Sequence, residues 1–291
     1  MSAAVRIVEV GARDGLQNEP RALHLSVEDK RDFIARLAAS GLRHIEGGAF
    51  VSPKAVPQMA GSLELAQALQ NITLPDGVRL SWLVPNLRGL ETAERAGATE
   101  IAVFIAASDA FSRANINATV GESLARLEPV IAAALAKGIA VRGYISTVFG
   151  YHDEPFAPQK VAALAKRLLE AGAYEVSLGD TTGIGTPQRT AQLIDALEAA
   201  QIPLTRIAMH LHDTGGRAIE NVAVAYDRGI RVFDASAGGL GGCPYADSPK
   251  GNLATETLVA FLEDERGVET GVNRASLAEA ARFMLARIGK N

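Results

Sequence analysis

The sequence predicts a (β/α)8 barrel (TIM barrel), and three observations predict it. Eight short runs rich in β-branched and apolar residues, at 5–10, 44–49, 79–84, 100–106, 140–147, 174–179, 206–211 and 231–236, alternate with longer segments of helical period. Glycines 41, 97, 138, 172 and 229 stand at the joints between helix and strand, where a left-handed stop ends a helix. The 291 residues suffice for one such barrel, and no linker, low-complexity stretch or charge block divides them. Open doubly wound sheets usually have five or six strands, so eight favours closure.

The elements follow in order. The first strand runs into Gly11-Ala12-Arg13-Asp14-Gly15-Leu16-Gln17-Asn18-Glu19, which reads as a loop. Ser26 then offers a hydroxyl cap with Glu28 and Asp29 in the first turn, and Phe33, Ile34, Leu37 and Ala38 form one apolar face before Gly41. The second strand contains Glu46. Pro158 suits the first turn of the helix after strand five, which carries Val161, Leu164, Ala165 and Leu168. Strand six runs into Asp180, and Thr186-Pro187 opens the helix bearing Leu193, Ile194 and Leu197. Strand seven ends in Met209-His210-Leu211-His212-Asp213. Strand eight is followed by Gly238-Gly239-Leu240-Gly241-Gly242-Cys243, with Asn252 a little beyond. The barrel is expected over about 5–265 as one domain, with an extra C-terminal helix at about 275–288.

Composition narrows the function. A formal net charge of −4 gives no electrostatic case for nucleic acid or an anionic membrane. No apolar run approaches the roughly 20 residues that span a bilayer. The first strand begins almost at Met1, so no signal or transit peptide is expected. Cys243, the only cysteine, forbids an intramolecular disulfide and suits a reducing, cytoplasmic setting.

Barrel chemistry sits where strands end and loops begin. His210 and His212 are two apart on a strand, so both side chains point the same way, roughly 6.5–7 Å apart along the chain. They are expected to converge on one divalent ion rather than to serve as one structural and one exposed histidine. Asp14 is the expected anionic ligand, with Gly11 and Gly15 letting the backbone bend it into the mouth. Asn252 reads either as a neutral oxygen ligand or as a helix cap before Leu253-Ala254-Thr255. Two nitrogens and two hard oxygens suit Mg2+ or Mn2+, although the ligand types alone also allow zinc. Arg13 beside Asp14 is suited to a developing oxyanion. Cys243, on its glycine-rich arm, is placed to donate a proton to a carbanion.

Long motifs in order carry a resemblance: VEVGARDGLQNEP (8–20), FVSPKAVPQM (50–59), PNLRG (85–89), NIN (115–117), RGYIS (142–146), SLGDTTGIGTP (177–187), HLHDT (210–214), GLGGCPYA (239–246) and GNLATE (251–256). Over nearly its whole length the chain resembles the 3-hydroxy-3-methylglutaryl-coenzyme A lyases of the DRE-TIM metallolyase superfamily. The resemblance implies Asp14, His210, His212 and Asn252 as metal ligands, Arg13 as the group that stabilises an enolate, and Cys243 as a proton-transfer residue. It implies Glu46 and Asp180 as active-site acids and Gln17 as a residue facing substrate. It leaves the catalytic base for the substrate hydroxyl open between His210, His212 and an acid-assisted water. An acyl-CoA substrate, one divalent cation and a homo-oligomer are likewise implied. The chain departs from the usual pattern at Ala49, at Gly215 and over 147–152, which leaves the acyl group open.

Overall fold

A computed structural model describes residues 4–242 and 251–290. Its strands are β1 (Arg6–Glu9), β2 (His44–Ala49), β3 (Arg79–Leu83), β4 (Glu100–Ala106), β5 (Ala140–Ser146), β6 (Glu175–Asp180), β7 (Ile207–Leu211) and β8 (Val232–Ala235). Each pairs in parallel with the next, and β8 returns to β1, closing the expected barrel. The surrounding helices are α1 (Val27–Ala39), α2 (Ser62–Gln70), α3 (Leu87–Arg95), α4 (Val120–Ala136), α5 (Pro158–Glu170), α6 (Pro187–Ala199), α7 (Ala218–Asp227) and α8 (Thr255–Ala260). A terminal helix, α9, spans Arg274–Arg287.

Local chemistry sets these boundaries. At the start of α1, Ser26 Oγ accepts the Asp29 N–H at 3.0 Å while the Asp29 carboxylate accepts the Ser26 N–H, a reciprocal capping box. Pro158 and Pro187 occupy the first positions of α5 and α6, where no N–H is needed. The loop expected after β1 instead holds a short helix, Asp14–Gln17, and a 3-10 turn, Pro20–His24. A further helix, Asp109–Ile116, precedes α4, and α8 runs on into a π turn, Phe261–Glu265.

The main core lies between the strands and the helices, with Phe33, Ile34, Leu37, Leu193 and Leu258 fully buried in it. The barrel interior differs. TIM barrels commonly fill this space with layers of branched aliphatic side chains. Here Arg142 on β5 reaches Asp234 on β8, and Ser177 on β6 reaches the same carboxylate. Neither pair of strands is adjacent in the ring, so these bonds cross the interior. Val8, Val10, Ala208 and Val232 supply a small separate apolar cluster.

Glu9 is an outlier on the other face of β1. It is fully buried; its Oε1 accepts the N–H groups of Gly11 and Ala237, and its Oε2 accepts the Thr255 hydroxyl at 2.6 Å. Burial outweighs these donors and pushes its pKa up to about 7. The folded state therefore favours the neutral acid. That stabilising contribution is complete below the unperturbed pKa and is lost as the pH rises to about 7. Glu9→Gln, which can donate to Thr255 where the neutral acid would, is expected to gain stability over the parent between about pH 5 and 8. The gain is on the order of 3 kcal/mol at most. Thermal melts of both proteins across that range check this, and parallel pH profiles would refute it.

Candidate metal centre and active site

Alternation along β7 turns Ala208 and His210 into the barrel, while Met209 and Leu211 pack outward among the helices. His212 follows His210 into the mouth. The two Nε2 atoms are 3.2 Å apart, and Asp14 Oδ2 is 3.9 Å from that of His210. Ligand atoms of all three residues lie within 4.8 Å of one another. Two atoms each about 2.1 Å from an ion, at right angles, stand about 3 Å apart. The histidine spacing is thus that of neighbouring ligands on one ion. Burial, together with His210, lowers the pKa of His212 to about 4, which keeps its ring neutral and its lone pair available. Burial also opposes charge on His210, but Asp234 and Asp14 outweigh it and raise its pKa. The Nδ1 atoms of both His210 and His212 are buried with no hydrogen-bond partner among the described residues. The donor set fits a divalent cation.

Asp14 opens the short helix after β1. Burial would raise its pKa, yet Arg13 and then the two histidines bring it down to about 2. Its Oδ1 accepts from Arg13 Nη1 at 2.7 Å and its Oδ2 from Asn252 Nδ2 at 2.8 Å. The flanking glycines matter for a reason other than the one expected. Neither takes a positive φ. A Cβ on Gly11 would lie 2.6 Å from Glu9 Oε1, and one on Gly15 would lie 3.0 Å from Leu240 Cβ and from Ser236 Oγ. They allow close approach, not an unusual bend.

Asn252 does not cap α8, because the N-cap residue is Ala254. An antiparallel bridge to His212 holds it instead, with Asp213 N donating to Gly251 O and Leu253 N to Leu211 O, both at 2.9 Å. Its amide nitrogen donates to Asp14 and to Leu240 O. Both amide protons are thereby used, and Oδ1 is the atom left to serve as a ligand.

Arg13 is buried rather than a surface residue. Its Nε donates to Glu46 Oε2 at 2.7 Å, and its guanidinium lies over the Tyr144 ring. Burial opposes its charge, but Glu46 and Asp14 more than offset that and raise its pKa. Burial pushes Glu46 up, and Arg13 pulls it back only in part. Among the described residues, nothing accepts from Arg13 Nη2 or donates to Glu46 Oε1.

Asp180 stands at the rim but on the other side of its strand. Glu175 and Ser177 point inward to Arg142 and Asp234, so Asp180, an odd number of residues on, faces away from them. Its carboxylate accepts the N–H groups of Ile184 and Gly185 and so ties down the loop between β6 and α6. Burial raises its pKa to about 6. Gln17, half-buried, ends the short helix of Asp14. Cys243 lies outside the described residues. Gly242, just before it, accepts from Asn18 Nδ2 at 3.3 Å.

Sequence reasoning gave no part to Arg142, Tyr144, Ser177 or Asp234. A signal was present, since Arg142 and Asp234 interrupt otherwise apolar strands. A charge buried there requires a partner.

The three clustered groups thus stand beside a buried cation, Arg13, whose Nη2 donates to none of the described residues. Fold, site and relatives together define a barrel enzyme of the carbon–carbon lyase class, with a group that could hold a metal ion at its mouth. Within that class, the chain belongs to the HMGL-like family, which it matches over residues 4–284. It is 51% identical over 290 residues to the hydroxymethylglutaryl-CoA lyase of Pseudomonas mevalonii, covering 98% of this chain and 93% of that protein. It is 47% identical over 288 residues to the 3-hydroxy-3-isohexenylglutaryl-CoA/hydroxy-methylglutaryl-CoA lyase of Pseudomonas aeruginosa, covering 99% and 94%. The crystal structure of hydroxymethylglutaryl-CoA lyase from Pseudomonas aeruginosa superposes with a TM-score of 0.93 at 47% identity, over 99% of this chain and 94% of that one. The resemblance read from the motifs is borne out.

Proposed function

We propose that this protein cleaves 3-hydroxy-3-methylglutaryl-CoA to acetyl-CoA and acetoacetate, with Mg2+ or Mn2+ held by Asp14, His210, His212 and Asn252. The observation that carries the reading is the convergence of two imidazole nitrogens and a carboxylate beside the buried Arg13. The names of the relatives support the choice of substrate. Once bound, the ion would supply Lewis acidity toward the tertiary hydroxyl and a neighbouring carbonyl oxygen. His210 turns Nε2 to that site and Nδ1 toward Asp234, so it has no lone pair left for a proton. The Nε2 of His212 faces the same site, so water is taken as the acceptor of the hydroxyl proton. Cleavage of the carbon–carbon bond yields acetoacetate and the enolate of the thioester. Arg13 Nη2 faces that oxyanion, and Glu46 keeps the guanidinium in place. Cys243 then returns a proton to carbon. Gln17 contributes to substrate binding from the Asp14 helix, and Asp180 shapes the mouth through its loop. Ala49 and Gly215 make the alkyl group at C3 the point on which this enzyme would differ among its relatives.

No helix among the described residues is long and apolar enough to cross a membrane. With a single cysteine, a cytoplasmic setting fits the reading, as does a homo-oligomer. The test is an assay of acetoacetate and acetyl-CoA released from a panel of 3-hydroxy-3-alkylglutaryl thioesters. Equal amounts of both products, abolished by EDTA and restored by Mg2+ or Mn2+, are expected. Thioester loss without acetoacetate, or a rate indifferent to EDTA, would overturn the proposal.

A further inference from the structure

We infer that Asp234 is a positioning residue for His210, setting which ring nitrogen keeps its lone pair, and that Arg142 and Ser177 hold it to that part. The inference rests on the divalent-ion reading of Asp14, His210 and His212. Asp234 is the register partner of His210 on the neighbouring strand, so both project inward at the same level of the barrel. Asp234 Oδ2 lies 3.4 Å from His210 Nδ1; the pair is outside hydrogen-bond geometry as it stands, but it is the only His210 Nδ1 contact with a carboxylate oxygen within 4 Å among the described residues. A neutral imidazole carries one proton, and what its other nitrogen faces decides where that proton sits. A carboxylate can only accept, so Nδ1 takes the proton. Nε2 is then left bare on the side of Asp14 and His212.

The carboxylate is fixed on its other edges. Arg142 forks onto it, Nη2 to Oδ1 at 2.7 Å and Nη1 to Oδ2 at 3.1 Å, and Ser177 Oγ donates to Oδ2 at 2.7 Å. These donors come from β5 and β6, across the barrel from β8, so Asp234 cannot swing with its own strand alone. Arg142 is in turn held by Glu175 at 2.8 Å, and Glu175 also pairs with Arg6. The chain of alternating charge runs from the floor of the barrel to one ring at its mouth. Among the described residues His212 has no carboxylate within 4 Å, whereas His210 has Asp234 on its Nδ1 side. A pair that merely filled the interior would have no reason to present one oxygen to Nδ1.

Two measurements test this on the full-length protein. Mn2+ binding, followed by the electron paramagnetic resonance of free Mn2+, is expected to weaken by about 10- to 100-fold in Asp234→Asn. Circular dichroism should show that variant folded. In 15N imidazole spectra of the metal-free proteins, the resonance missing from His210→Gln identifies His210. At a pH high enough for the ring to be neutral, it should report Nδ1–H in the parent and shift toward Nε2–H in Asp234→Asn. Equal Mn2+ affinity together with an unchanged tautomer would overturn the inference. Should Asp234→Asn fold poorly, Ser177→Ala keeps the salt bridge and removes only one of the two donors to Oδ2, and weaker Mn2+ binding is again expected. Full affinity in Ser177→Ala, with no Nδ1–H signal in the parent, would be equally fatal. If the parent binds no Mn2+, the ion reading fails instead, and the tautomer still decides the part played by Asp234.

Discussion

Arg13→Gln is expected to lower kcat by about 10³-fold while leaving KM for the thioester within about threefold. The arginine contributes where charge appears, and the ground-state substrate has no enolate for it to meet. Removing one preorganised donor to such an oxyanion typically costs about 10²- to 10³-fold, and loss of a full positive charge from a buried site belongs at the upper end. Glu46 loses its cation in this variant. It is fully buried and already raised in pKa, so it can take up a proton rather than unfold the barrel. Arg13→Lys is expected to recover less than about tenfold, because an ammonium cannot reproduce the planar fork that meets Glu46 and Asp14 together. Steady-state kinetics at saturating Mg2+ or Mn2+ check both variants. A raised KM with unchanged kcat would mean that Arg13 binds substrate and transition state alike, and the enolate role would fall.

The barrel was legible because its signals are local. Apolar runs, glycine stops and hydroxyl or proline starts placed all eight strands to within one or two residues. The short helix at Asp14–Gln17 was not legible, since four residues with two neighbouring glycines carry no helical period. His210 and His212 were legible through alternation alone. Asp14 was found with a mistaken reason: its glycines make room for Glu9, Ser236 and Leu240, which are distant in sequence. Asn252 stayed open between cap and ligand; Ala254 at the N-cap removes the first reading, and the bridge that places Asn252 beside His212 is long-range backbone pairing that leaves no local trace. Asp180 was placed at the correct rim, but its facing depends on strand phase, which shifts if the end of a strand is misjudged by one residue. For Asp234, the strand showed a charge that needed a partner without saying which of 29 cations supplied it.

Arg142 is that partner, and Arg142→Met is expected to cost about 3–5 kcal/mol of stability, a fall of roughly 10 °C in Tm. The residue is 1% exposed and donates to Glu175, Tyr144 and both oxygens of Asp234. Methionine restores most of the volume, so the loss comes from charge rather than from a cavity. Glu175 retains Arg6 in the variant, whereas Asp234 is left with Ser177 and the facing His210 ring. Arg142 is the main cation holding the Asp234 carboxyl well below the usual carboxylate range, against burial. Its removal lets that group take up a proton more readily, so the deficit should shrink as the pH falls toward 5. The double variant Arg142→Met with Asp234→Asn separates the two accounts. If an uncompensated carboxylate is the cause, the double variant melts above Arg142→Met although it has lost more native hydrogen bonds. If packing around Arg142 is the cause, the two losses add and the double variant melts lower. Thermal melts at pH 5 and pH 8 decide between them.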